Sequence, residues 1–144
     1  MKRHPALVPI SREHHQMLML AQLMKKDAPA YKGMPVTSKG KVEYAREAWF
    51  SLIKGHIEIE ESVLFPFVLQ KQASLSELIN ELRDQHHQIA LGLEKIQPDP
   101  EEMDRIGRLL ERHIRKEERV LFQQVQELLT EEEMDELKTI LSTG

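Results

Sequence analysis

A ten-residue pattern occurs twice in this chain, 57 positions apart and identical at seven positions, and its residue types invite chemistry. The first copy is His56-Ile57-Glu58-Ile59-Glu60-Glu61-Ser62-Val63-Leu64-Phe65; the second is His113-Ile114-Arg115-Lys116-Glu117-Glu118-Arg119-Val120-Leu121-Phe122. Both follow the pattern H-I-x-x-E-E-x-V-L-F. On an α-helix, residues four apart are rotated by only about 40° and stack one turn above each other. His56 with Glu60, and His113 with Glu117, each present an imidazole and a carboxylate to one point. Two such pairs facing each other across a helical bundle would form a site for two metal ions.

A second, weaker repeat completes the set. His14-His15-Gln16 and His86-His87-Gln88 lie 72 positions apart, with Arg12 and Arg83 a little upstream. The chain thus reads as two related halves, each contributing H and then H-x-x-x-E. His14 shares its helical stripe with Ile10, Met17, Leu18, Ala21 and Met24, whereas His15 falls on a more polar track with Ser11, Leu18, Met19, Gln22 and Lys26. His86 lies with Leu82, Ile89, Ala90 and Leu93, and His87 with Arg83 and Glu94. His14 and His86 are therefore the members expected to face inward.

A lone histidine on an apolar stripe is usually a hydrogen-bonded core residue. Four of them beside two inward glutamates are harder to explain that way. A buried carboxylate without a counter-charge costs several kcal/mol, and no Lys or Arg shares these stripes. A cation is the natural compensation. Glu61 and Glu118 sit off the ligand track and read as solvated or outer carboxylates. The methionines at 17, 19 and 24 read as core filler. Four imidazoles and two carboxylates without sulfur suit Fe, Mn or Zn. Carboxylates able to bridge favour a di-iron or mixed Fe/Mn centre with positions left for dioxygen, peroxide, nitric oxide, hydroxide or water.

The elements that must carry these residues are helices. Pro5 and Pro9 predict an extended lead-in, with a first helix from about Ile10 to Lys26. Pro29, Gly33 and Pro35 mark a loop. A long second helix runs from about Ser38 to Gln70, its inward face built from Trp49, Leu52, Ile53, His56, Ile59, Glu60, Val63 and Leu64, with Pro66 expected to kink it or tighten its last turns. Ser74 with Glu77 predicts a capping box for the third helix. Asp99-Pro100 starts the fourth, and Thr130 with Glu133 caps a short last one. No β-period appears. The expected fold is all-α: one domain over residues 1–144, an antiparallel up-down-up-down four-helix bundle with a short C-terminal helix.

Composition narrows the function classes. The chain has 144 residues, 31% charged and 40% hydrophobic, enough to bury a core. Its formal net charge of −4 and lack of a basic run argue against nucleic-acid partners. The absence of cysteine removes disulfides and thiolate sites and fits the cytoplasm. No apolar stretch approaches a membrane span, and no apolar segment follows Lys2 and Arg3 as a signal peptide would require.

The H…H-x-x-x-E…H…H-x-x-x-E arrangement resembles the hemerythrin-like, or HHE cation-binding, domain family from about His14 to Phe122. That resemblance implies an up-down four-helix bundle around a non-haem di-iron centre. It further implies that His14, His56, His86 and His113 are terminal ligands and that Glu60 and Glu117 bridge the irons, with an oxo or hydroxo group between them. Oxygen-carrying members have a fifth histidine from an H-x-x-x-H pair on the third helix; here Leu82 and Ala90 flank His86 at that spacing. They also use an aspartate five residues after the last helix's histidine, where this chain has Glu117 four residues after His113. The pattern is more similar to the branch of iron sensors and di-iron proteins linked to repair after nitrosative stress. The expected function is binding or sensing of iron with dioxygen, peroxide or nitric oxide. The alternatives are a di-iron enzyme acting on peroxide or nitric oxide, an iron-storage or repair protein, and a binding module with a structural metal. Tyr44 and Trp49 are candidates to line a channel, or else boundary and core aromatics. No protein partner is legible.

Overall fold

The computed structural model describes residues 2–143, which form no strand and are dominated by five helices. Helix α1 is Val8–Met24. Helix α2 runs without a break over residues 38–71, and α3 is Ser76–Glu94. Helix α4 spans residues 100–128, and α5 is Glu131–Thr143.

Cross-helix contacts fix the antiparallel order. Along α1 and α4, Ser11 pairs with Glu118 and Gln22 with Glu111. Along α2 and α3, Arg46 reaches the carbonyl of Ile96, whereas Glu61 meets Arg83. Along α3 and α4, Glu81 pairs with Lys116, and Gly92 faces Ile106. In each pair one helix ascends as the other descends, as the short connections require. The all-α up-down bundle expected from the sequence is the fold observed.

Several local expectations are corrected. α1 begins at Val8, before Pro9, because Pro9 occupies the first turn, where its missing N–H has no intrahelical partner to lose. The Ser74–Glu77 capping box does not form. Residues Ala73–Leu75 make a 3-10 turn, and α3 starts at Ser76 without a side-chain cap. The other two starts behave as expected: Asp99 accepts from the Glu101 N–H, and Thr130 and Glu133 cap each other reciprocally. Ile59, placed inward by its spacing, is 38% exposed.

Pro66 lies at the start of the segment Phe65–Lys71, directly after a departure from α-helical geometry. Residues Glu60–Leu64 form a π-helical turn within α2, and Glu117–Leu121 form the matching turn within α4. The second copy has Gln123 where the first has Pro66, so proline is not the cause. A third π turn, Trp49–Ile53, lies one turn before His56.

The core divides in two. One apolar cluster gathers Leu7, Ile10, Leu64, Phe65, Leu82, Leu121 and Phe122, with Met134 and Leu137 of α5 packed onto it. The other gathers Met17, Leu20, Trp49, Ile53, Ile89, Leu110 and Ile114. A polar layer lies between them. Among the described residues, no helix is long and apolar enough to cross a membrane.

Candidate metal centre

The six residues expected as ligands meet in that layer. His14, His56, His86 and His113 are 1–3% exposed, and Glu60 and Glu117 are fully buried. Each helix delivers its part: α1 His14, α2 His56 and Glu60, α3 His86, α4 His113 and Glu117. His15 and His87 are exposed, 100° around their helices from the layer.

The two carboxylates each serve two sides. Glu60 Oε2 stands 3.3 Å from His56 Nε2 and 3.6 Å from His14 Nε2, while its Oε1 is 2.9 Å from His86 Nε2. Glu117 Oε1 is 3.3 Å from His14 Nε2, and its Oε2 is 2.6 Å from His113 Nε2 and 3.5 Å from His86 Nε2. The result is two four-residue clusters, His14-His56-Glu60-Glu117 and Glu60-His86-His113-Glu117, sharing both glutamates. The two imidazole pairs repeat each other: 4.7 Å between His14 and His56, 4.6 Å between His86 and His113, both tilted by 57°.

These donors fit a cation better than they fit one another. His14 Nε2, His56 Nε2, Glu60 Oε2 and both Glu117 carboxylate oxygens are buried without a hydrogen-bond partner. Five orphaned polar atoms converging in an apolar interior would be strongly unfavourable. Donors bound to one first-row ion at about 2.0–2.2 Å stand about 3 Å apart; the histidine–glutamate contacts here run from 2.6 to 3.6 Å, and the donors of each cluster all lie within 4.8 Å of one another. All are nitrogen or oxygen, as such ions accept.

Behind the donors stands an outer layer that fixes each ring. His14 Nδ1 donates to Glu118 at 2.6 Å and His86 Nδ1 to Glu61 at 2.6 Å. His56 Nδ1 donates to Glu13 at 3.0 Å and His113 Nδ1 to Gln85 at 2.8 Å. With every Nδ1 engaged outward, every Nε2 is directed at the centre, the arrangement seen around metal-bound histidine. Glu61 and Glu118 thus act as outer carboxylates. Glu13 and Gln85 were missed from sequence, although each directly precedes an inward histidine and the two are 72 positions apart.

The π turns help supply this layer. They start at Glu60 and Glu117, and a turn closed by i→i+5 bonds spreads adjacent side chains through a smaller angle than an α turn does. One glutamate can then face the centre while the next reaches a histidine on a neighbouring helix. Phe122 stacks on His14 at 5.7 Å and Phe65 on His86 at 5.5 Å, each covered in turn by a guanidinium, Arg3 and Arg83 respectively. Arg12, which the repeat suggested as the counterpart of Arg83, is exposed. Ser11 occupies the matching position, and Arg3 from the lead-in brings the charge.

Without a metal, protons must balance the carboxylates. Burial alone would depress the His14 pKa, but Glu117, Glu118 and Glu60 outweigh it and hold it well above the usual range. His56 is likewise raised to about 9 against its burial by Glu60 and Glu13, and His86 to about 10 by Glu117 and Glu60. Burial pushes the Glu60 carboxyl up, yet His56 and the surrounding contacts keep it well below the ordinary range. Glu117 is lowered too, with His113 overcoming burial and the neighbouring Glu60 charge.

A third group, His4, Glu131 and Asp135, lies on the surface. His4 Nδ1 accepts from the Ala6 N–H, which leaves the ring proton of the neutral imidazole on Nε2, facing Glu131 at 2.8 Å. That is a clamp on the lead-in, not a ligand set. A cavity of about 190 Å³ opens between α1 and α2, lined by Tyr44, Gln16, Glu47 and Ser51 with Met17 and Ile53. Trp49 is a core residue, 3% exposed.

A four-helix bundle with a buried, paired His/Glu layer defines a class of metal-binding protein. The sequence matches the hemerythrin HHE cation binding domain over residues 6–125, and the chain belongs to that family. No curated protein and no solved structure matches it.

Proposed function

We propose that this is a non-haem di-iron protein that binds or senses iron together with dioxygen, peroxide or nitric oxide. The observation carrying this reading is that Glu60 and Glu117 each turn their oxygens toward both histidine pairs. One ion would be held by His14, His56, Glu60 and Glu117, the other by His86, His113 and the same two carboxylates. Iron is favoured because a carboxylate-linked pair in an all-N/O donor set suits it, with Mn or Zn as the other candidates. When bound, the pair supplies redox chemistry and coordination positions that six side chains do not fill. The chain's own residues orient the donors through Nδ1, exclude bulk water and supply the negative charge.

A second reading, an enzyme acting on peroxide or nitric oxide, draws support from the cavity beside Tyr44. Two of its lining residues, Met17 and Ile53, lie one helical turn from His14 and His56. A small molecule entering there would be close to the centre. An iron-storage or repair role rests on the same donors. The absence of cysteine and the polar, helical build agree with a cytoplasmic protein.

The test is elemental analysis with optical spectroscopy on protein purified without oxygen and then exposed to air. The expected result is two irons per chain and new charge-transfer absorption in the near ultraviolet. Glu60→Ala or Glu117→Ala should lower the iron content well below two. Unchanged iron in both variants would sink the shared-carboxylate assignment. Consumption of added peroxide over many turnovers would select the enzyme.

A further inference from the structure

The two candidate ion positions are alike in their inner donors and unlike in what stands behind them. His14 and His86 carry the same kind of partner: each donates from Nδ1 to a glutamate at 2.6 Å, although Glu118 is bonded by Arg3 at 3.1 Å and by Ser11 while Glu61 stands 3.8 Å from Arg83. His56 and His113 are not matched. His56 Nδ1 donates to the carboxylate of Glu13, whereas His113 Nδ1 donates to the amide oxygen of Gln85. Glu13 and Gln85 occupy corresponding places in the two halves of the chain, so the pseudo-twofold is broken at this contact by one charge. Among the described residues, no lysine or arginine lies within ion-pair distance of Glu13, so its charge acts on His56 without a competing cation.

An imidazole that donates to a carboxylate is a more electron-rich ligand at its other nitrogen than one that donates to a neutral amide. Around the His14–His56 position there are two outer carboxylates, Glu118 and Glu13. Around the His86–His113 position there is one, Glu61. The shared Glu60 and Glu117 contribute to both positions and do not distinguish them.

We propose that Glu13 and Gln85 make the two positions inequivalent, so that the His14–His56 position takes up the first divalent ion and is the better host for the more highly charged member of an ion pair. The proposal rests on the two-ion reading above. Glu13 has a side chain 38% exposed, and Gln85 is half-buried, so exchanging carboxylate for amide at either leaves the core packing alone.

The experiment titrates Co(II), as a paramagnetic probe, into the full chain with its histidine side chains labelled with nitrogen-15. Resonances are assigned through the single histidine variants. At one equivalent, the hyperfine-shifted Nδ1–H signals are expected from His14 and His56. The two stepwise constants should differ by about 10- to 100-fold, the range typical of outer-ligand changes. Gln85→Glu should bring the constants together, and the exchange Glu13→Gln with Gln85→Glu should move the first shifted signals to His86 and His113. Equal shifts at all four histidines below one equivalent in the natural chain, or an unchanged order in the exchanged variant, would overturn the proposal while leaving a two-ion centre intact. Saturation at one cobalt per chain would remove the two-ion reading, and this proposal with it.

Discussion

Glu118 Oε2 accepts a 2.6 Å hydrogen bond from Nδ1 of His14, and the same carboxylate is gripped from outside by Ser11 and Arg3. Arg3 also bonds the Glu118 carbonyl and lies over Phe122, which stacks on His14. The N-terminal lead-in is therefore joined to the metal layer by both charge and packing. On the opposite side Arg83, Phe65, Glu61 and His86 repeat the assembly from within the bundle.

Removing the Glu118 carboxylate should loosen His14 without emptying its helix of packing. Glu118→Ala is expected to weaken metal binding about 10- to 100-fold, measured by competition with a chromophoric chelator. Arg3→Ala should weaken it less, because an ion pair of this partly exposed kind contributes about 1 kcal/mol or less. An Arg3→Ala effect as large as that of Glu118→Ala would mean that the lead-in itself holds the ring.

The raised imidazoles set a pH dependence. His56 and His86 sit at about 9 and about 10 in the folded metal-free chain, against an ordinary value of about 6.5. Their protonated contacts with the carboxylates therefore stabilise the fold fully below pH ~6.5. That stabilisation is lost as pH rises through 9 to 10. The urea midpoint of metal-free protein should accordingly be higher at pH 6.5 than at pH 10.5. Loading the ion at neutral pH must also displace protons, which an indicator dye in weak buffer would register. A midpoint that rises across this interval would contradict the protonation scheme.

The inner donors were legible in the sequence because burial imposes a period. His14 and His86 could be separated from His15 and His87 by asking which shared a stripe with leucine, isoleucine and methionine. The outer layer had no such mark. Glu13 and Gln85 sit where a surface helix face would carry polar residues, and their role appears only when His56 and His113 arrive from other helices. The π turns left no mark because the Glu-Glu-x-Val-Leu segments that form them hold no residue an α-helix would exclude. Arg3 was hidden in a lead-in with no periodicity. The resulting prediction is a contrast: His14→Ala should abolish binding at one position, while His15→Ala leaves stoichiometry unchanged. The reverse ranking would show that the other face of α1 supplies the donor.

Two glycines test how closely the bundle is packed around the layer. A Cβ on Gly107 of α4 would stand 2.8 Å from the Ala21 carbonyl oxygen and 3.0 Å from Met24 Cβ on α1. A carbonyl in a helix cannot swing aside, so Gly107→Ala must push α1 and α4 apart, and overpacking of this kind costs about 1–3 kcal/mol. The gain from replacing a helical glycine, about 0.5–1 kcal/mol, is too small to reverse the sign. Gly55 of α2 adjoins His56 but has nothing within 4 Å of a built Cβ, so Gly55→Ala should stabilise by that gain alone. Urea unfolding of the two metal-free variants should therefore give shifts of opposite direction. Because α1 carries His14 and α4 carries His113 and Glu117, Gly107→Ala should also weaken metal binding, whereas Gly55→Ala should not. Equal shifts in stability would mean that the α1–α4 contact yields more readily than its carbonyl geometry allows.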